Sequence, residues 1–266
     1  MLILNSCTKS NSGNSTPPTP YYLSSVVAVS PQQRIVDSFY YDTLHRVDTF
    51  TQVIYDTTSG SPMFNTWTVQ FLYQDANPSP SWYNYYDVPL GGYGDYHLLS
   101  YDANDRITED TSLSGSGYVT YFSYPNNNIA ATTLFEGTAD DNQIDTLYMR
   151  NSNISQEVVY TPDIPGEPDQ LQGDVVFTDV STANPAYHAA ISGSIGPLLF
   201  NLTLNNGADF VDFISKNAWQ QITGTETSSP TNVLLTYVLS TDSKGRLTKM
   251  TAGSGSSAGT IQFSYY

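Results

Sequence analysis

The chain has 266 residues, enough to bury a large core in one all-β domain or two smaller ones. Charged residues are sparse at 13%, and acids outnumber bases 25 to 9, giving a net charge of -16. That field repels phosphate backbones, so no nucleic-acid partner is expected; the single cysteine, Cys7, excludes an internal disulfide or a multi-cysteine metal centre.

Residues 1–7 read as the tail of a signal peptide that ends at Cys7, and Leu4-Asn-Ser-Cys7 resembles a bacterial lipobox, in which the cysteine is lipidated. Residues 8–20, rich in Thr, Ser, Asn, Gly and Pro, read as a flexible tether, and residues 21–266 as a single β domain. The expected placement is therefore the cell envelope, lipid-anchored and at the outer membrane. Acyl chains at Cys7 would be the membrane contact, since the most apolar later stretch, Ile191 to Leu204, is interrupted by Gly193, Gly196 and Pro197.

From Tyr21 onward, short runs of Val, Ile, Thr, Tyr and Phe alternate with turns of Gly, Asn, Asp, Ser and Pro. Strands are predicted at Ile35–Tyr41, Val47–Tyr55, Thr66–Tyr73, Leu98–Tyr101, Ile107–Thr111, Thr120–Tyr124, Ile129–Phe135, Ile144–Met149, Ile154–Tyr160, Val175–Val180, Val233–Leu239, Leu247–Met250 and Ile261–Tyr265. Period-two alternation sets Trp67, Val69, Phe71 and Tyr73 on one face and Thr66, Thr68 and Gln70 on the other. Thr161 to Gly173 is predicted to be a long loop, and Ala208 to Ile222 the one short helix. The fold class expected is all-β: a single antiparallel meander sheet, open or partly curled like an incomplete barrel.

Three hairpins repeat one pattern. Asp42-Thr-Leu-His-Arg46, Asp102-Ala-Asn-Asp-Arg106 and Asp242-Ser-Lys-Gly-Arg246 are each answered downstream by Phe-x-Tyr, ending at Tyr73, Tyr124 and Tyr265. An aspartate at the first position initiates a type I turn, and the residue before the arginine must then adopt positive φ. Gly245 does so freely, while His45 and Asp105 tolerate it. The arginines are placed to meet a carboxylate or a tyrosine across the hairpin.

This pattern resembles the YD repeats of RHS-type proteins; Tyr41-Asp42 and Tyr101-Asp102 keep the Tyr-Asp pair. Together with the lipobox, the tether and the late Ser215-Lys-Asn217 segment, it is similar to uncharacterised lipoproteins of the Bacteroidota cell envelope. The resemblance implies an antiparallel sheet at a membrane surface and assigns no activity.

Catalytic chemistry finds little support. His45, His97 and His188 lack zinc spacing, no Gly-x-Ser-x-Gly elbow occurs, and Gly253, Gly255 and Ala258 precede a strand rather than the helix a dinucleotide site needs. Asp140, Asp141, Asn142 and Asp145 form an acidic turn without the ligand order of a calcium loop. Asp102, Asp105, Glu109 and Asp110 could contain a glycosidase pair, but alternation sends Glu109 and Asp110 to opposite faces. Trp82, Tyr83, Tyr85 and Tyr86 crowd one segment and are the candidate ligand-binding aromatics. The sequence thus points to a non-enzymatic envelope lipoprotein with neither metal nor cofactor, serving as a binding or scaffold module for a glycan or protein. The alternatives are a glycan hydrolase using loop carboxylates and a purely structural module.

Overall fold

The computed structural model describes residues 22–59, 62–87, 93–113, 118–135, 143–161, 170–191, 195–199, 216–226, 229–253 and 259–266. Sixteen strands follow one another as antiparallel neighbours: β1 (Leu23–Val29), β2 (Gln33–Tyr41), β3 (Val47–Asp56), β4 (Pro62–Tyr73), β5 (Pro80–Asp87), β6 (Tyr93–Tyr101), β7 (Ile107–Ser112) and β8 (Tyr118–Ser123) in the first half. The second half contains β9 (Ile129–Phe135), β10 (Gln143–Arg150), β11 (Asn153–Thr161), β12 (Gln170–Ala183), β13 (Asn217–Glu226), β14 (Ser229–Thr241), β15 (Leu247–Ala252) and β16 (Gly259–Tyr265).

The sheet is not open. β1 pairs antiparallel with β16, with Val26 opposite Phe263 and Ala28 opposite Ile261, so the meander closes into a barrel. Tyr266 completes the seam, its amide donating to the Tyr22 carbonyl at 3.0 Å and its hydroxyl to the Phe39 carbonyl at 3.1 Å. Closure is a pairing between opposite ends of the chain, and it removes the two free edges an open sheet would carry. Local patterning reports strands and turns but carries no signal for such a long-range contact.

Two other expectations need correction. Asn217 to Ile222 belongs to β13, whereas a helix was expected to run through it; residues 208–215 lie outside the described residues. Helix is instead found among the described residues at α1 (Pro185–Ile191), which was not anticipated, in a further turn at residues 196–199 and in a 3-10 turn at Pro125–Asn127. α1 starts at a capping residue, the Asn184 Oδ1 accepting the Ala186 amide at 3.1 Å, with Pro185 in the first turn. The end of the expected loop, Gln170 to Gly173, is already strand; residues 162–169 lie outside the described residues, as do residues 1–21 with Cys7 and the tether.

Alternation decides which face is buried. Inward positions on adjacent strands carry Phe39, Phe50, Val69 and Tyr85 in register, and beside them Val26, Asp37, Gln52 and Trp67. Phe39 and Phe50 pack at 5.1 Å between ring centroids, Phe50 and Trp67 at 5.3 Å, and Trp67 and Tyr85 at 5.8 Å. A circular barrel of this strand number would enclose a water-filled channel. Here the excursion between β12 and β13 enters the interior: Ala186 and Ala189 of α1, with Ile195, Leu198 and Leu199, are buried in the same core as Val26, Phe39 and Trp67. α1 packs against β1 although β12 and β13 lie elsewhere in the wall.

Outward positions carry more hydroxyls. One registered row runs Ser264, Ser25, Ser38, Thr51, Thr68, Tyr86 across six consecutive strands of the wall. A second runs Ser240, Lys249, Gln262, Val27, Val36, Val53. The outer wall thus mixes hydroxyls, amides and a lysine with Val27, Val36 and Val53 and with the exposed Tyr40, Trp82, Tyr96, Leu98, Tyr121 and Val238.

Candidate functional site

The repeated hairpins resolve into one clamp built three times. In the first, Asp42 Oδ1 accepts the amides of Leu44 (2.8 Å) and Arg46 (2.9 Å), and Oδ2 accepts Arg46 Nε at 2.7 Å. The guanidinium lies 4.1 Å above the Tyr73 ring, and the Tyr73 hydroxyl donates to the Val47 carbonyl at 2.7 Å. Asp102, Arg106, Tyr124 and the Ile107 carbonyl repeat this, as do Asp242, Arg246, Tyr265 and the Leu247 carbonyl. His45, Asp105 and Gly245 have φ of 63°, 60° and 77°, as the turn chemistry requires. Each clamp therefore staples a turn to the strand beyond its own hairpin.

All three arginines are committed to their own turn. Burial works to raise the Asp42 carboxyl, but the Arg46 amide and guanidinium and the Leu44 amide together hold it below its ordinary value. Asp102 and Asp242 are also held low, the first chiefly by the Arg106 side chain and the second by the Arg246 amide. These are folding devices rather than anion sites. Arg46 additionally donates to the carbonyls of Asp75 (3.0 Å) and Asn77 (2.6 Å), tying in the β4–β5 turn.

Inside the barrel, β5, β6 and β7 assemble a polar cluster that the sequence did not reveal. His97 is enclosed, with Nδ1 2.7 Å from Asp110 Oδ1 and Nε2 3.3 Å from Asp95 Oδ2. Tyr83 stacks on the imidazole at 4.3 Å and donates its hydroxyl to Asp110 Oδ2 at 2.7 Å. The Ser112 hydroxyl donates to Asp95 at 2.8 Å. Every polar atom named here is answered by another, so the cluster reads as a satisfied interior network.

The carboxylates considered for glycoside chemistry are separated by this arrangement. Asp102 caps its turn, Asp105 accepts the Ser79 hydroxyl at 2.7 Å, Asp110 points inward to His97, and Glu109 points outward, accepting the Thr111 hydroxyl at 2.7 Å. Asp145 lies in β10, while Asp140, Asp141 and Asn142 are outside the described residues. His188 lies in α1, and His45 stacks on Tyr22 at 4.7 Å. Among the described residues, no group of three or more His, Cys, Asp or Glu side chains could hold a metal ion.

A second interior chain links Trp67 Nε1 to Gln52 Oε1 (3.1 Å) and Gln52 Nε2 to Asp37 Oδ1 (2.9 Å). Burial pushes the Asp37 carboxyl up from 3.8 to about 7, and the Gln52 hydrogen bond only partly opposes it. The folded state thus holds a proton that the unfolded chain releases near 3.8, so this contribution to stability is full below that value and is lost as pH rises through about 7. Asp37→Asn is expected to remove roughly 2–3 kcal/mol of the stability lost between about pH 5 and pH 8, as measured by urea unfolding. The turn aspartates cannot mask this, because their contribution disappears only in acid, below the ordinary carboxylate value.

The four aromatics picked out from the sequence are divided between the two faces. Tyr83 and Tyr85 point inward, and Trp82 and Tyr86 outward. Tyr86 lies over Gly94, where an added methyl would approach its ring to 3.2 Å, and accepts a hydrogen bond from Asn84 Nδ2. Trp82 is 41% exposed and faces Tyr96 of β6, their centroids 6.4 Å apart and their planes at 33°. Tyr96, Leu98 and Tyr121, also exposed on this outer face, were missed, because their proximity to Trp82 depends on strand register.

No protein family matches the chain, and no curated protein matches it in sequence. Among solved structures, it is similar in fold to a porin-like protein from Bacteroides uniformis ATCC 8492, with a TM-score of 0.54 at 15% identity, covering 94% of this chain and 98% of that one. A porin-like protein from Bacteroides vulgatus ATCC 8482 matches at a TM-score of 0.49 and 10% identity over 93% of this chain and 99% of that one. At such identities the first of these supports the closed antiparallel barrel and nothing finer.

Proposed function

We propose that this chain is a non-enzymatic module of the cell envelope, lipid-tethered through Cys7, whose barrel stands in water beside the membrane and serves as a binding or scaffold domain. The observation that carries this reading is the filled interior: Ala186, Ala189, Ile195, Leu198 and Leu199 are buried in one core with Val26, Phe39 and Trp67 of the wall, while the row Ser264, Ser25, Ser38, Thr51, Thr68 adds hydroxyls to the outer face. Membrane barrels of this size enclose a polar, water-filled interior, whereas this one is packed with apolar side chains where α1 enters.

The closed sixteen-stranded wall and the porin-like description of the B. uniformis protein favour a second reading, a barrel that spans the bilayer. Against it stand the hydroxyl row and Lys249 on the outer face, since a lysine facing lipid at mid-bilayer costs about 2–4 kcal/mol. The interior occupied by α1 and residues 195–199 also leaves no polar lumen there.

Fractionation of cells separates the two. In cells that export the protein, the wild type is expected in the membrane fraction and Cys7→Ser in the soluble fraction, folded without detergent. A Cys7→Ser protein that still resists carbonate extraction would establish the spanning reading instead.

A further inference from the structure

We propose that the outward aromatic face of β5, β6 and β8, centred on Trp82 and Tyr96, binds a neutral polysaccharide laid across the strands; this rests on the reading of the barrel as a binding module. Trp82 pairs in register with Leu98, Asn84 with Tyr96, and Glu109 with Tyr121, so the four large side chains Trp82, Tyr96, Leu98 and Tyr121 share one face across β5, β6 and β8, with Glu109 and Thr111 of β7 between Leu98 and Tyr121. Each is exposed by 41–49%. Other exposed apolar side chains on the described strands, among them Tyr40, Tyr148, Val176 and Val238 on β2, β10, β12 and β14, stand on strands that do not adjoin β5, β6 or β8.

Size and charge select the occupant. Aromatic side chains carry about 150–250 Å² each, so three that are less than half exposed, with Leu98 beside them, present on the order of 350 Å². A stable protein interface needs about 800 Å² per partner. A second copy of the chain would also bring another net charge of -16 to the same surface. The same charge, with Glu109 at the edge of the patch, disfavours phosphorylated, sulfated or uronic-acid ligands. What fits is an uncharged chain with flat C–H faces to lie on rings and hydroxyl edges to meet Ser100, Glu109 and Thr111. A convex face suits an extended polymer, which stacks along a surface, better than a small molecule that needs a pocket. From β5 to β8 the platform spans three strand spacings, about 14 Å, room for a short run of linked sugars.

Trp82 supplies the readout. Trp67 and Trp219 are 1% and 7% exposed, so acrylamide quenching of tryptophan fluorescence reports Trp82. With the folded protein and a panel of soluble neutral glucans, mannans, galactans and xylans, retarded migration in affinity gels is expected for at least one. The same ligand should protect Trp82 from acrylamide. Trp82→Ala and Tyr96→Ala should weaken retardation at least tenfold, while Tyr40→Ala, which removes an exposed ring on β2, should not change it. Absence of retardation across the panel, or retardation unchanged in Trp82→Ala, overturns the proposal. So does a dimer in sedimentation that Trp82→Ala dissociates. None of these outcomes bears on tethering, which the Cys7→Ser fractionation reads separately.

Discussion

Trp67→Ala is expected to lower the free energy of unfolding by about 3–5 kcal/mol, among the largest effects of any single substitution in this barrel. Trp67 is 1% exposed, contacts Phe50 and Tyr85 across the inner face, and donates to Gln52, which in turn donates to Asp37. Truncation would open a cavity and leave the Gln52 Oε1 without its donor beside a buried carboxyl. In a chain of this length each kcal/mol corresponds to roughly 2–4 °C in Tm, so a fall of about 10 °C is expected by calorimetry. Trp67→Phe keeps most of the packing and should cost less than half as much. A change below about 1 kcal/mol for the alanine variant would mean that the interior is not packed there, which would remove the main argument against a water-filled lumen.

His97→Ala should be comparably damaging, at about 3–5 kcal/mol, for an electrostatic reason. Its imidazole stands between Asp95 and Asp110, with Asp110 1% exposed. Removing the ring leaves two carboxylates facing a cavity, with Tyr83 and Ser112 the remaining hydrogen-bond donors of the network described above. A double variant with Asp110→Ala is expected to cost less than the sum of the two single changes, because the second substitution removes the orphaned charge. Strict additivity in urea unfolding would show that the two side chains do not act as a unit.

How much of this was readable in the sequence depended on whether a feature is local. The β3, β4, β8 and β15 strands were visible because alternation is a two-residue property, and Trp67, Val69 and Phe71 do share the buried face. The three turns were equally legible: an Asp-x-x-x-Arg spacing allows one carboxylate to bind two amides and a guanidinium, and His45, Asp105 and Gly245 stand where positive φ is needed. β5 escaped because its run of aromatics, Trp82 to Tyr86, has no polar and apolar alternation to read. β13 was mistaken for helix because the apolar residues before it fall at helical spacing, and pairing with β12 and β14 overrides that local signal. The candidate aromatics all lie on β5, where alternation divides them between the two faces of the wall.

The amino-acid order by itself determined strands, clamped turns and an acidic, hydroxylated character, since each of these follows from neighbours a few residues apart. Tertiary structure alone decided that the sheet closes through β1 and β16, that α1 and residues 195–199 fill the interior, that His97 meets two aspartates, and that Trp82 meets Tyr96. These depend on pairing and register between distant segments, whose free energy comes from removing edges and apolar surface from water, a quantity that no short stretch of sequence contains.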